Sequence, residues 1–399
     1  MPELVALAYS GGLDTSWCIP HLIGEGYDVV TVTVDVGGLD DAAKQDLETR
    51  ALALGAKAHH IIDARDLFYQ KTLRYLIAGN IRRGGVYPLC VGAERTVQAM
   101  EAARMAAELG ATAVAHGCTA AGNDQVRFDT ALRAVDPSLR VLAPIRDLMP
   151  ARSQQVADLE ARGYPVPSHG AAYSVNSGLW GVTIGGTETK HSDGVLPEEA
   201  WQRTRGAFDQ PRSPQTMVIG FDHGHPVALD GNAMEPVALI EALDACAAPY
   251  GIGRGMHLGD TVLGLKGRVA FEAPAATVLL DAHRELEKLV LTGRQQQAKD
   301  AMSRVYGDWL HEGHALDPAM RDIEALLDQS QTRVCGEVVV TLRTGSAFVE
   351  GVRSPFSLMA ASGSVYGEEA KDYSARDAAG FARIVGLPSV LASRAGAGR

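Results

Sequence analysis

The sequence predicts an α/β protein: an N-terminal doubly wound parallel sheet, then an α+β second domain and a short C-terminal tail. Three observations carry this expectation. Residues 1–150 alternate between strand-like and helix-like runs, the signature of βαβ units whose sheet is covered by helices on both faces. Beyond Pro214 the strand-like runs come in pairs joined by short turns, which makes hairpins instead of crossovers. The chain is also 399 residues long, past the ~250–300 at which a single core stops growing.

Taken in order, Leu4–Tyr9 is a short apolar run and Asp14–Gly24 has helical spacing, with Pro20 expected to distort it. Asp28–Val36 is β-branched and apolar; Asp41–Leu54 is helical and stops at Gly55. A strand at Lys57–Asp63, helices at Leu67–Ala78 and Ala93–Leu109, a strand at Ala113–His116, a helix near Gln125–Ala134 and a strand at Arg140–Pro144 continue the alternation. From Gly163 to Pro214 the chain turns rich in Gly, Pro, Ser and Thr, which places a boundary there. Thr216–Asp222 with Pro226–Leu229, and Glu337–Leu342 with Ser346–Gly351, read as hairpins; Pro236–Ala248, Thr277–Leu291 and Arg294–Glu312 read as helices. The tail holds a helix-like piece, Ala378–Ile384, and a small, polar end expected to fray. The expected division is 1–165, a nucleotide-binding domain; 166–376, a substrate domain; and 377–399, a tail too short for a domain.

Acidic residues outnumber basic ones 48 to 37, a net charge of −11. That balance argues against a general nucleic-acid or anionic-membrane binder, which needs a basic face. There is neither an apolar run of membrane-spanning length nor a cationic leader segment, so the expected compartment is the cytoplasm. Five scattered cysteines make no disulfide framework or CxxC site.

The most informative stretch is Ser10-Gly11-Gly12-Leu13-Asp14-Thr15-Ser16, between an expected strand and an expected helix. Two glycines let backbone N–H groups approach an anion without a Cβ in the way. The helix N-terminus adds unpaired N–H groups and the positive end of its dipole, and Ser10, Thr15 and Ser16 add hydroxyls. Such a loop suits pyrophosphate. Asp14 would repel phosphate directly, so it caps the helix or helps hold Mg²⁺. A second loop, Gly117–Arg127, starts where another strand ends and so lies at the same sheet edge. Its Thr119, Asn123, Asp124 and Arg127 suit small charged substrates. His116, alone at a strand end, is a base or, more simply, a structural residue.

Ala8-Tyr9-Ser10-Gly11-Gly12-Leu13-Asp14-Thr15-Ser16 resembles the SGGxD(S/T)S loop of the N-type ATP pyrophosphatases, an adenine nucleotide alpha hydrolase-like fold, and in its long form the argininosuccinate synthase family. His116–Phe128 resembles that family's HG(A/C)TGKGNDQVRF signature, and Tyr173–Gly181 its YSxDxNLxG/H stretch; order and spacing match through Gly264–Arg268. The resemblance implies a ligase of arginine biosynthesis that joins citrulline and aspartate through a citrullyl-adenylate, with ATP as substrate, Mg²⁺ present and a homotetramer embraced by the tails. It implies that Ala8 through Ser16, with Val34 and Gly117, bind ATP; that Tyr87, Asn123, Arg127, Ser174 and Thr183 bind citrulline; and that Thr119, Asn123 and Asp124 bind aspartate. Asp124, Arg127 and Asp14 would be the catalytic set, with the metal ligands unassigned.

The pattern departs at four places, all on the acceptor and loop side. Ala120-Ala121 replaces the usual GK pair, Gly92 stands where a hydroxyl is common, and Gly259 and Phe271 stand where a glutamate and a tyrosine are usual. Asp260 is adjacent and is a candidate replacement carboxylate. These departures keep two alternatives in view: the same adenylation of an N-acylated citrulline, and a non-catalytic nucleotide-binding homologue. Glutamine-dependent amidating and tRNA-thiolating relatives fit less well, because the chain begins Met-Pro and lacks paired cysteines.

Overall fold

A computed structural model describes residues 2–166 and 173–397 of the chain. Its first layer is a five-stranded parallel sheet of β1 (Leu4–Ala8), β2 (Asp28–Asp35), β3 (Ala58–Asp63), β4 (Ala113–His116) and β5 (Arg140–Leu142), in the order β3-β2-β1-β4-β5. The strands read as continuous apolar runs because both faces are covered. Val5 and Leu7 pack on one side with Trp17, Cys18 and Leu22 of the Leu13–Gly24 helix, Leu47 and Ala51 of the Asp41–Ala53 helix, and Leu159. Ala6, Val30 and Val32 pack on the other with Ala99 and Ala103 of the Arg95–Glu108 helix and Phe128 and Ala131 of the Asp124–Val135 helix. The order reverses at β1, and Ala8 pairs with His116. The loops after β1 and β4 therefore leave the sheet side by side, the arrangement that forms a binding crevice in such sheets.

The remaining strands are β6 (Tyr173–Gly178), β7 (Gly181–Gly186), β8 (Gln215–Asp222), β9 (His225–Leu229), β10 (Asn232–Ala233), β11 (Arg254–Asp260), β12 (Lys266–Glu272), β13 (Gly336–Arg343) and β14 (Ser346–Arg353). They form two antiparallel sheets, β10-β9-β8-β13-β14 and β11-β12-β7-β6. Helices Pro236–Ala247, Pro274–Val290, Gly293–Glu312 and Pro318–Gln331 share with the first of these sheets a core that includes Leu239, Leu279, Tyr306, Leu327 and Val338. The connection between β3 and the Arg95–Glu108 helix joins this second core through Phe68, Leu73, Leu76 and Ile77. Residues 80–93 are thus carried to the rim of the crevice by the second core.

The expected α/β architecture is the observed one, with corrections of detail. The Leu13–Gly24 helix runs unbroken through Pro20, so the proline removes one donor without distorting the first turns. Leu67–Ala78 contains a wider π turn at Tyr69–Leu73. The hairpins β6–β7 and β11–β12 and the Pro318–Gln331 helix were not expected from sequence. The tail forms one helix, Ala375–Gly396, started by a Ser374–Asp377 capping box, longer than the expected piece at Ala378–Ile384. The Gly/Pro/Ser/Thr-rich boundary falls partly on residues 167–172, and the tail's end on 398–399; both lie outside the described residues. No helix among the described residues is long and apolar enough to cross a membrane.

Candidate active site

The crevice at the switch point opens into a cleft of about 1090 Å³, walled by the β1 and β4 loops on one side and by β6, β7, β11 and β12 on the other. Every sequence-expected site residue lines it except Ser16. The Ser16 side chain is fully buried, with its Oγ 3.4 Å from the Tyr9 hydroxyl, and it supports the loop from behind.

The first loop is held by its neighbours. Gly11 has φ of +73°, and the Arg50 guanidinium donates to its carbonyl at 2.9 Å. In a trans peptide the N–H points opposite to the C=O, so anchoring this carbonyl on Arg50 turns the Gly12 N–H the other way. Thr15 Oγ1 donates to the Gly12 carbonyl at 3.3 Å and lies 3.3 Å from Ser10 Oγ. Asp14 does not cap the helix: the N-cap is Gly12, without a side-chain cap bond, and Asp14 faces the cleft.

In the second loop His116 is held by its neighbours at the inner end of the cleft. It is buried, with Nε2 2.9 Å from Asp129 and Nδ1 accepting from the Cys118 N–H at 3.3 Å. Asn123 Oδ1 accepts from the Val262 N–H at 2.9 Å, tying the β11–β12 turn to this loop. Asp124 accepts from Arg95 Nε at 2.9 Å and Arg127 Nη1 at 2.8 Å. Burial would raise its carboxyl, but those two guanidinium groups win and hold it at about 2. Arg127 is itself buried and held by protein partners: Nε donates to the His311 carbonyl at 2.9 Å and Nη2 to His311 Nδ1 at 3.0 Å. Because Nδ1 accepts, the His311 imidazole is neutral, and burial followed by Arg127 and Arg83 pushes it down to about 3. Glu94, beside Arg95, is raised to about 7, chiefly by burial.

Two of the departures from the family pattern, Gly92 and Gly259, are filled by neighbours. A Cβ at Gly92 would lie 3.3 Å from three atoms of the Arg127 guanidinium, which covers it. A Cβ at Gly259 would lie 2.7 Å from His257 Nε2 and 3.3 Å from Arg83 Nη1. Phe271 packs on the Tyr87 ring at 5.2 Å and across the β11–β12 pair over Gly255. Asp260 is paired with Lys266 at 2.5 Å. Sequence reasoning missed Arg50, Arg83, Glu94, Arg95, His257 and His311; each is a single polar residue outside the motifs.

Known proteins resemble this chain over nearly its whole length. Residues 4–165 match the arginosuccinate synthase N-terminal HUP domain, and residues 173–392 the arginosuccinate synthase C-terminal domain. The chain is 38% identical over 392 residues to the argininosuccinate synthase of Methanocaldococcus jannaschii, covering 98% of each chain. It is 40% identical to that of Xanthomonas campestris, covering 97% of each, and 34% identical to that of Staphylococcus saprophyticus, covering 98% of each. With both of its halves matched and its relatives similar over almost their whole length, the chain belongs to the argininosuccinate synthase family.

Proposed function

We propose that this chain joins citrulline to aspartate at the expense of ATP, with the bond-making steps in the cleft at the β1/β4 switch point. The observation that carries the reading is the convergence of a two-glycine anion loop, the Thr119–Arg127 loop and the strands bearing Ser174 and Thr183 on one cleft. Ala8 to Thr15, with Val34 and Gly117, face the nucleotide; Ser16 acts from behind. Tyr87, Asn123, Arg127, Ser174 and Thr183 surround citrulline, and Thr119, Asn123 and Asp124 surround aspartate. The ureido oxygen of citrulline attacks the α-phosphate of ATP, giving citrullyl-adenylate and pyrophosphate; the aspartate amine then displaces AMP. The ureido oxygen is a weak nucleophile, so holding it in line supplies much of the rate. The departing pyrophosphate meets loop N–H groups already oriented by Arg50.

Mg²⁺ fits this site. Asp14 presents a carboxylate to the cleft beside the loop with no hydrogen-bond partner among the described residues, and one carboxylate plus substrate phosphates is a common Mg²⁺ ligand set. The ion would offset pyrophosphate charge. The one metal-type trio among the described residues, Asp222, His223 and Cys335, lies outside the cleft.

The expected result is pyrophosphate release from ATP that depends on citrulline and proceeds, at least for one turnover, without aspartate. Absence of any acceptor-dependent pyrophosphate rejects the ligase reading and restores the non-catalytic alternative. The relatives, synthases by name, do not favour that alternative or the N-acylated acceptor. The proposal includes a cytoplasmic homotetramer. The Ala375–Gly396 helix leaves Phe381, Ile384, Val385 and Leu391 exposed, an apolar face suited to a neighbouring subunit. Light scattering should give a smaller mass after removal of residues 375–399; an unchanged mass rejects the tail's role.

A further inference from the structure

Arg83 and Tyr87 are clamped together at the mouth of the cleft. The Arg83 N–H donates to the Tyr87 carbonyl at 2.7 Å, and the Tyr87 N–H returns to the Arg83 carbonyl at 3.0 Å. His257 stacks on the Tyr87 ring, centroids 5.3 Å apart, and its Nε2 accepts from Arg83 Nη1 at 3.2 Å. An arginine always donates, so His257 is neutral there and adds no charge of its own.

Counting donors separates Arg83 from Arg127. Arg127 has three of its five N–H groups engaged, by Asp124 and His311, and is almost wholly buried. Arg83 spends one N–H on His257; its Nε faces the half-exposed Asp308 at 3.6 Å without a hydrogen bond, and Nη2 has no hydrogen-bond partner among the described residues. The carboxylates nearby on the cleft side are already committed, Asp124 to two arginines and Asp260 to Lys266. Arg83 is therefore a cation of this wall with most of its donors to spare, and Gly259 is what admits it, since a side chain there would collide with the Arg83–His257 pair.

We propose that Arg83, seated by His257 in the space left by Gly259, binds the carboxylate of the ureido acceptor. The inference rests on the ligase reading and adds to it a residue that decides which acceptors are accepted. A guanidinium with an open fork matches a carboxylate in geometry and charge, and a carboxamide in its place would lose the charge-assisted part of the contact.

The test is steady-state pyrophosphate release by the full chain and by Arg83→Gln, with citrulline and with citrullinamide as acceptors. In Arg83→Gln the KM for citrulline should rise about 30-fold and the preference for citrulline over citrullinamide should fall by a similar factor, with the KM values for ATP and aspartate unchanged. Gly259→Ala should shift the KM for citrulline in the same direction by displacing the pair, and so covers the case in which Arg83→Gln folds poorly. An unchanged citrulline KM and an undiminished preference overturn the proposal. If the unmodified chain itself releases no acceptor-dependent pyrophosphate, the ligase reading fails first and the proposal falls with it.

Discussion

Asp124→Asn is expected to lower kcat/KM for aspartate by about a thousandfold and to lower Tm by a few degrees. Two effects combine. In the native protein the carboxylate neutralises Arg95 and Arg127, whose side chains are almost wholly buried, at 2.9 and 2.8 Å. Removing one partner of such a group leaves a cation uncompensated in a poorly hydrated place. Asp124 itself is about one-third exposed, so solvent screens part of the loss, and the stability cost is about 1–3 kcal/mol instead of the full value for an enclosed pair. Catalysis suffers more. Asp124 fixes Arg127 against Gly92, and a displacement of about 1 Å in a substrate-positioning group costs about 10²-fold. Losing the charge proposed to face the aspartate amine adds about another tenfold. Retention of kcat/KM within tenfold of the native value would remove Asp124 from the substrate-handling residues. A Tm loss without a rate loss would make it a purely structural anion.

The parts of the site that the sequence announces are those in which backbone does the work. Ser10–Ser16 and His116–Phe128 are local: the strand, turn and helix that build them lie next to one another in the chain, and the parallel sheet brings two such turns together through the Ala8–His116 pairing. The apolar runs of β1, β2 and β4 are plain because both of their faces are buried. β6 is obscure for the opposite reason. Ser174 to Ser177 are all exposed, lining an open cleft, so no alternation marks Tyr173–Gly178 as a strand. The Pro318–Gln331 helix did carry a signal, an Asp317 cap followed by proline at the first helical position and Met320, Ile323 and Leu327 on one face. Arg83, His257 and His311 were illegible for another reason. They come from three distant places in the chain, and what unites them is the space vacated at Gly259 and the turn of Arg127 over Gly92. A missing side chain reads as a gap in one dimension, whereas in three its neighbours fill it.

Adjacent glycines of the first loop should fail in different ways when replaced by alanine, and the difference distinguishes an anion cradle from an ordinary turn. Gly11 sits at φ of +73°, and a Cβ there would run into Leu47 Cδ2 of the helix beneath. The left-handed conformation costs an L-residue about 1–2 kcal/mol, and relieving the contact costs about as much again. Gly11→Ala should therefore destabilise the protein by about 2–4 kcal/mol, and it should also shift the peptide that Arg50 anchors. Gly12 is unlike it: φ of −72° and ψ of 168° suit any residue, and a Cβ would meet only Ser10 Oγ, at 3.6 Å. Gly12→Ala should leave Tm within about 1 °C, since compatible surface changes cost about 0.5 kcal/mol or less. It should nevertheless reduce kcat/KM for ATP about a hundredfold, because the methyl group stands between the phosphate oxygens and the N–H groups that would receive them. Thermal melts and ATP-dependent kinetics on the two variants separate the effects. If Gly12→Ala binds and uses ATP as the native chain does, the loop is a capped turn like many others and the nucleotide must lie elsewhere in the cleft. If it keeps its fold and loses ATP, the second glycine is there for the ligand and the first for the chain.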